Sequence, residues 1–153
     1  MLKSEPPIVV ELSVTTSIAR IWSALTDPDQ MREWFFDNMP DFKAEPGFET
    51  SFEVNAGERI FPHVWKVTQV VPHEKLVVNW TYGGYDGIAN VMFEVFPDGE
   101  SNNVRVTATA VEDFPQDIPE FKRESGVAGW DYLINGQLKS LSLIHISEPT
   151  RPY

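Results

Sequence analysis

The spacing of hydrophobic and polar residues predicts a strand followed by two short helices at the start of the chain. In IVVELSV, residues 8–14, an aliphatic side chain occupies every second position, as in a strand with one buried face. Thr15, Thr16 or Ser17 can cap a helix next. The apolar residues that follow share one helical face: Ile18, Ile21, Trp22 and Leu25. Asp27-Pro28 then predicts a second short helix, with Asp27 as cap and Pro28 at its first position.

From Phe42 to Val111 the pattern is that of consecutive strands. Residues 59–71 form a long alternating run that ends before Pro72, and Asp98-Gly99 is typical of a hairpin turn. The other predicted strands are FKAE (42–45), the run 48–54, KLVVNWTY (75–82), IANVMFEVF (88–96) and VRVTATAV (104–111). Because turn residues join them in series, we predict an antiparallel sheet of six to seven strands.

A long helix is predicted from Glu120 to about Leu141. Its apolar stripe consists of Val127, Trp130, Ile134, Leu138 and Leu141. Three glycines inside it each cost about 1 kcal/mol relative to alanine, so packing must hold the helix. Residues 142–153, SLIHISEPTRPY, abandon the stripe and resemble translated adapter or vector sequence. We therefore predict one α+β domain over residues 1–141, with a non-native tail at 142–153.

Composition and charge exclude several classes of binding partner and of chemistry. The net charge of -11 opposes contact with a nucleic acid backbone. The chain has no cysteine, which excludes disulfides and thiolate chemistry. No apolar run approaches the roughly 20 residues that span a bilayer, and the first residues lack the pattern of a signal peptide. We expect a cytoplasmic protein with no membrane span and no nucleic acid partner.

Three stretches together resemble a known family. They are IWSALTDPDQMREWF, HVWKVTQVVPHEKLVVNWTYGGYDG and FKRESGVAGWDYLINGQLK, and the chain is similar to the activator of the ninety-kilodalton heat-shock protein's ATPase over about residues 8–141. The resemblance implies the helix-grip fold of START-like and birch-pollen-allergen-like proteins, in which a curved sheet grips a long C-terminal helix over a cavity. It also implies hydrophobic ligands, cyclase or hydratase activity, or assistance to a chaperone. The tail departs from the family, whose last helix would continue past LKSL.

Aromatic residues are the natural candidates for lining such a cavity, because ligand pockets are mostly apolar with a few polar groups. The residues that we predict to bind ligand are Trp22, Trp34, Phe36, Phe52, His63, Trp65, Trp80, Tyr82 and Trp130. For any single tryptophan core packing alone is the better explanation, and the case for a cavity lining rests on the set as a whole. Asn79, Tyr85 and Asn90 are further polar side chains within reach of the strand faces.

The sequence offers little for catalysis. It has no G-x-S-x-G elbow and no phosphate-binding loop, and its three histidines are not spaced for a shared metal ion. We therefore expect no cofactor and no metal, and we favour binding of a small hydrophobic or amphipathic molecule. Two alternatives stay open: a co-chaperone-like module that binds the ninety-kilodalton heat-shock protein, and a cyclase- or hydratase-like enzyme that uses His63 and a tyrosine as acid and base.

Overall fold

Six antiparallel strands form one curved sheet in the computed structural model, which describes residues 1–141. The strands are β1 (Ile8–Val14), β2 (Glu49–Ala56), β3 (Arg59–Val71), β4 (Lys75–Tyr82), β5 (Ile88–Asp98) and β6 (Ser101–Glu112). Their spatial order is β1-β6-β5-β4-β3-β2. Register shifts interrupt the pairing between Val67 and Gln69 and between Ile88 and Ala89. Such bulges increase local twist and bend a sheet.

The strand predictions are confirmed with one exception. β1, β3 and β4 have the predicted bounds, and β1 alternates between buried and exposed side chains along its whole length. The predicted strand at 42–45 is wrong, because those residues form no strand. Phe42 lies there in a loop, buried edge-on against Phe48 and Trp65. The Phe42 side chain is therefore part of the hydrophobic core, although its backbone pairs with no neighbouring strand.

Two short helices connect β1 to β2 at the opposite edge of the sheet. They are α1 (Ile18–Thr26) and α2 (Pro28–Trp34). Ser17 is the residue that caps α1, since its hydroxyl accepts from the Arg20 amide. Asp27 caps α2 as predicted, accepting from the amide of Asp29. The Trp34 indole N–H donates to the Ala24 carbonyl oxygen at 2.7 Å and so fixes one helix against the other.

The C-terminal helix begins three residues later than predicted. A 3-10 turn, Pro119–Phe121, precedes α3 (Arg123–Asp131), which continues into a π-helical segment, Tyr132–Leu138. The predicted stripe is buried at Trp130, Ile134, Leu138 and Leu141. Val127 is a correction, because 37% of it is exposed, in a surface groove that it lines together with Val9 and Val10 of β1. Residues 142–153, which we predicted to be a non-native tail, lie outside the described part of the chain.

Candidate functional site

A cavity of about 200 Å³ lies between the sheet and α3. Its floor is the inner face of β4, β5 and β6, and its roof is the side of α3 that carries Ser125, Gly126 and Gly129. The full lining is Met1, Phe36, His63, Trp80, Tyr82, Ala89, Val91, Ala108, Phe114, Glu120, Phe121, Lys122, Ser125, Gly126, Gly129, Trp130 and Leu133. Aromatic rings therefore dominate a space that opens beside the helix.

Small residues create the space. Ala89 and Ala108 point inward from β5 and β6, where a larger side chain would reach the helix. A Cβ added at Gly129 would meet no atom within 4 Å, so this position borders open space. At Gly126, by contrast, a Cβ would lie 2.9 Å from Cδ1 of Ile8. Gly126 thus allows α3 to pack closely on β1. Gly129, which is part of the lining, puts no side chain into the cavity.

Five of the nine predicted ligand residues line the cavity: Phe36, His63, Trp80, Tyr82 and Trp130. The other four are buried outside its lining: Trp22, Trp34, Phe52 and Trp65. Trp65 pairs with Trp80 across β3 and β4, with ring centroids 4.6 Å apart. Trp65 therefore lies on the same face of the sheet as Trp80 and packs beside it, next to the cavity lining.

His63 is a buried titratable group in the wall of the cavity. Only 6% of it is exposed, and its ring stacks on Phe52 and meets Tyr82 edge to face at a centroid distance of 4.7 Å. Burial lowers the pKa of His63 to about 4, and the hydrogen bond to the Phe61 backbone opposes that shift only in part. His63 is therefore neutral at physiological pH.

The Phe61 backbone selects the tautomer of His63. Nδ1 lies 2.9 Å from the Phe61 carbonyl oxygen. A carbonyl can only accept, so Nδ1 carries the proton and donates it. In the neutral ring the other nitrogen, Nε2, is then an acceptor.

Two further polar groups stand beside His63. Burial raises the pKa of the Tyr82 hydroxyl to about 12, and the nearby Trp80 indole N–H only partly opposes this. The Trp80 N–H is itself buried and has no hydrogen-bond partner of good geometry among the described residues. An unpaired buried donor of this kind costs about 1–3 kcal/mol. Solvent does not reach this N–H, so among the polar groups of the wall its nearest role is the weak interaction with the Tyr82 hydroxyl.

The three further polar residues that the sequence suggested for the cavity lie outside its lining. Asn79 and Asn90 lie opposite each other on β4 and β5, on the outer face of the sheet, with an amide contact of 3.5 Å. Tyr85 packs on Phe61 and Phe121, and its hydroxyl donates to the Ile60 carbonyl oxygen. None of these three lines the cavity.

The sequence interpretation missed the small and aliphatic strand residues of the lining and the two phenylalanines that follow β6. Ala89, Val91 and Ala108 form the floor, while Phe114 and Phe121 close the side near the 3-10 turn. Alanines at inward-facing strand positions are the signal that could have identified the floor. Within residues 1–141, no group of three or more His, Asp or Glu side chains is arranged to hold a metal ion. No helix in that part of the chain is long and apolar enough to cross a membrane.

Solved structures share the fold at low sequence identity. Protein CV1439 from Chromobacterium violaceum has a TM-score of 0.71 and 16% identity, over 88% of this chain and 96% of its own. Protein MLL2253 from Mesorhizobium loti has a TM-score of 0.66 and 23% identity, over the same shares. DynU16, encoded in the dynemicin biosynthetic locus, has a TM-score of 0.69 and 21% identity; 90% of this chain covers 47% of DynU16. At these identities the likeness concerns the helix-grip fold alone.

Sequence comparison gives the family. No curated protein sequence matches the chain. The family model described as Activator of Hsp90 ATPase homolog 1-like protein matches residues 15–142. That match spans well over half of the 153 residues and includes both helices after β1, the strands from β2 to β6 and the C-terminal helix. The chain therefore belongs to the Activator of Hsp90 ATPase homolog 1-like family.

Proposed function

We propose that the protein binds a small hydrophobic or amphipathic molecule in the cavity between the sheet and α3. The observation that carries the proposal is an open space of about 200 Å³ walled by aromatic rings, with His63 and Tyr82 as polar groups in the wall. Sites for small molecules have this composition: mostly apolar, with a few placed hydrogen-bonding groups.

The apolar wall of the open cavity supports the same proposal. Because the cavity opens beside the helix, solvent reaches a wall that is mostly carbon. Apolar surface in contact with water costs about 25 cal/mol for each Å². An apolar guest that covers this wall removes the surface from water, which favours binding.

Thermal denaturation with a panel of lipids and aromatic compounds tests the proposal. A ligand at one hundred times its Kd adds about 2.7 kcal/mol of stability and raises the midpoint accordingly. The absence of any rise across the panel would contradict binding.

A matched pair of helix variants localises the effect. Gly129→Leu places a side chain at the cavity, whereas Gly136→Leu adds the same side chain at a helix glycine outside the lining. We expect the ligand response to vanish in the first variant and to persist in the second. Equal responses in both would place the bound molecule elsewhere.

A chaperone partner is the second candidate, and family membership favours it. The net charge of -11 suits a basic surface, and such an association weakens as salt is added. Stimulation of the ATPase of the ninety-kilodalton heat-shock protein, lost at high salt, would support this function. No stimulation at any salt concentration would exclude it.

Acid–base catalysis is less well supported. General acids and bases work best when their pKa lies near the working pH. Burial holds the pKa of His63 near 4 and that of Tyr82 near 12, so both stay neutral over most of the pH range between those values. The pair is better suited to hydrogen bonding than to proton transfer.

A further inference from the structure

The volume of the cavity limits the size of its ligand. An engineered protein cavity of about 150 Å³ accommodates one benzene molecule. The cavity beneath α3, at about 200 Å³, therefore has room for one six-membered aromatic ring. The remaining space, about 50 Å³, is less than two water molecules occupy in the liquid, at about 30 Å³ each. One ring with substituents of about three heavy atoms in total fills it, while a fused polycycle or a long acyl chain must protrude.

The wall favours a flat guest over a branched one. The rings of Trp80 and Trp130 meet at 71° with centroids 5.6 Å apart, and the rings of Tyr82 and Phe121 lie 5.0 Å apart at 42°. Within each pair the rings pack directly on one another, and all four residues border the cavity. A guest ring can pair with them edge to face or in offset stacking, which adds attraction beyond simple burial.

The polar part of the wall favours a guest that donates a hydrogen bond. The Nδ1–H of His63 is already committed to the Phe61 carbonyl oxygen, which leaves Nε2 as an acceptor at a residue of the cavity wall. A hydroxyl group is the smallest group that donates to such a nitrogen.

The charges disfavour an anionic head group inside the cavity. Two lining residues carry a cation: Lys122, whose side chain is exposed at the rim, and Met1 through its N-terminal ammonium, which already donates to the Phe121 carbonyl oxygen and faces the carboxylates of Glu5, Asp113 and Glu124. Glu120 lies beside Lys122 and pairs with Arg59 at 3.2 Å. A carboxylate buried against His63 would gain no charge partner from that neutral ring, and burial of an unpaired charge is strongly unfavourable.

We propose that the ligand is a small monocyclic phenol whose ring lies between β4–β6 and α3 and whose hydroxyl donates to Nε2 of His63. This inference rests on the proposed binding function and deepens it by naming the ligand class. A cavity that binds long-chain lipids or four-ring compounds would need a larger volume than this one has.

Titration of the ¹⁵N-labelled protein with four probes, followed by amide chemical shifts, tests the proposal. The probes are 4-ethylphenol, its methyl ether 4-ethylanisole, the tetracyclic phenol estradiol, and myristic acid. We expect 4-ethylphenol to shift the amides of Ser125 and Gly129. We expect 4-ethylanisole to bind at least about fivefold more weakly, because it cannot donate the hydrogen bond. Estradiol and myristic acid are expected to bind more weakly than 4-ethylphenol.

A His63→Phe variant tests the acceptor separately. It keeps a ring at this position and removes Nε2, so the preference for the phenol over its methyl ether should fall to about one. The comparison of the two ligands on the unmodified protein does not depend on this variant, and it remains decisive if the variant folds poorly.

Each contrary result has a distinct meaning. Equal affinity for 4-ethylphenol and 4-ethylanisole would overturn the role of His63. Tighter binding of estradiol or myristic acid would overturn the size argument, while the binding function itself would stand. Failure of all four probes, together with a silent thermal panel, would overturn both the ligand class and the proposed function.

Discussion

Burial of neutral His63 predicts that the protein loses stability as the pH falls from 6.5 to 4. The pKa of the residue is about 4 in the folded protein, against 6.5 for the ordinary side chain. Between these values the unfolded chain binds a proton that the folded protein does not bind, so acid favours unfolding. The difference of about 2.5 in pKa corresponds to about 3 kcal/mol, at about 1.4 kcal/mol for each pH unit. Since only 6% of His63 is exposed, solvent screening removes little of this.

Urea unfolding at several pH values from 4 to 7 measures this contribution. Carboxylates also titrate in this range, so the informative quantity is the difference between the unmodified protein and His63→Phe. We expect the variant to lack about 3 kcal/mol of the acid-dependent loss. His73→Asn is the matched control: it removes an exposed histidine at a positive φ of 65°, which asparagine tolerates, and should keep the full dependence. Parallel curves for the unmodified protein and His63→Phe would refute the reasoning.

Three further predictions concern stability, each measured by urea unfolding. Gly87→Ala should destabilise the protein by about 3 kcal/mol, because the new Cβ would lie 2.4 Å from the ring of Phe114 at a φ of 113°; an unchanged midpoint would contradict the close approach. Trp34→Phe should cost about 1–3 kcal/mol, since it leaves the Ala24 carbonyl oxygen without its donor; a neutral effect would show that the bond contributes nothing. Gly129→Ala and Gly136→Ala should each stabilise the helix by about 1 kcal/mol, because both positions have free space; a loss at Gly129 alone would argue against the open cavity.

Most of the fold could be predicted because its signals are local. Alternation of apolar and polar residues fixed the bounds of β1, β3 and β4, and Asp27-Pro28 marked the start of α2. The stretch at 42–45 misled because an alternating run reports which side chains are buried, whereas a strand also needs a hydrogen-bonding neighbour. That neighbour is a property of the whole sheet.

The course of the C-terminal helix was harder to predict. The π-helical segment Tyr132–Leu138 changes the hydrogen-bonding period from four residues to five. Apolar spacing does not signal such a shift. Val127, the first residue of the predicted stripe, lies in a surface groove beside Val9 and Val10 of β1 and is exposed, so a stripe drawn at constant period included one residue that is not buried.

The sequence predicted which types of residue line the candidate site better than it predicted which of those residues border the cavity. Aromatic residues were rightly expected to face inward, but burial is common to core residues and lining residues alike. What separates Trp80 from Trp65 is the presence of Ala89, Ala108 and Gly129 nearby, which leave space beside one ring. Where several small residues from distant segments converge, only the three-dimensional arrangement reveals a cavity.

The central claim is that the space beneath α3 is a ligand site. The most direct measurement is the rise in thermal midpoint with 4-ethylphenol in three proteins: the unmodified chain, Gly129→Leu and Gly136→Leu. The account predicts a rise in the unmodified chain and in Gly136→Leu, and none in Gly129→Leu. An equal rise in all three proteins would contradict it, because a blocked cavity would then bind as well as an open one.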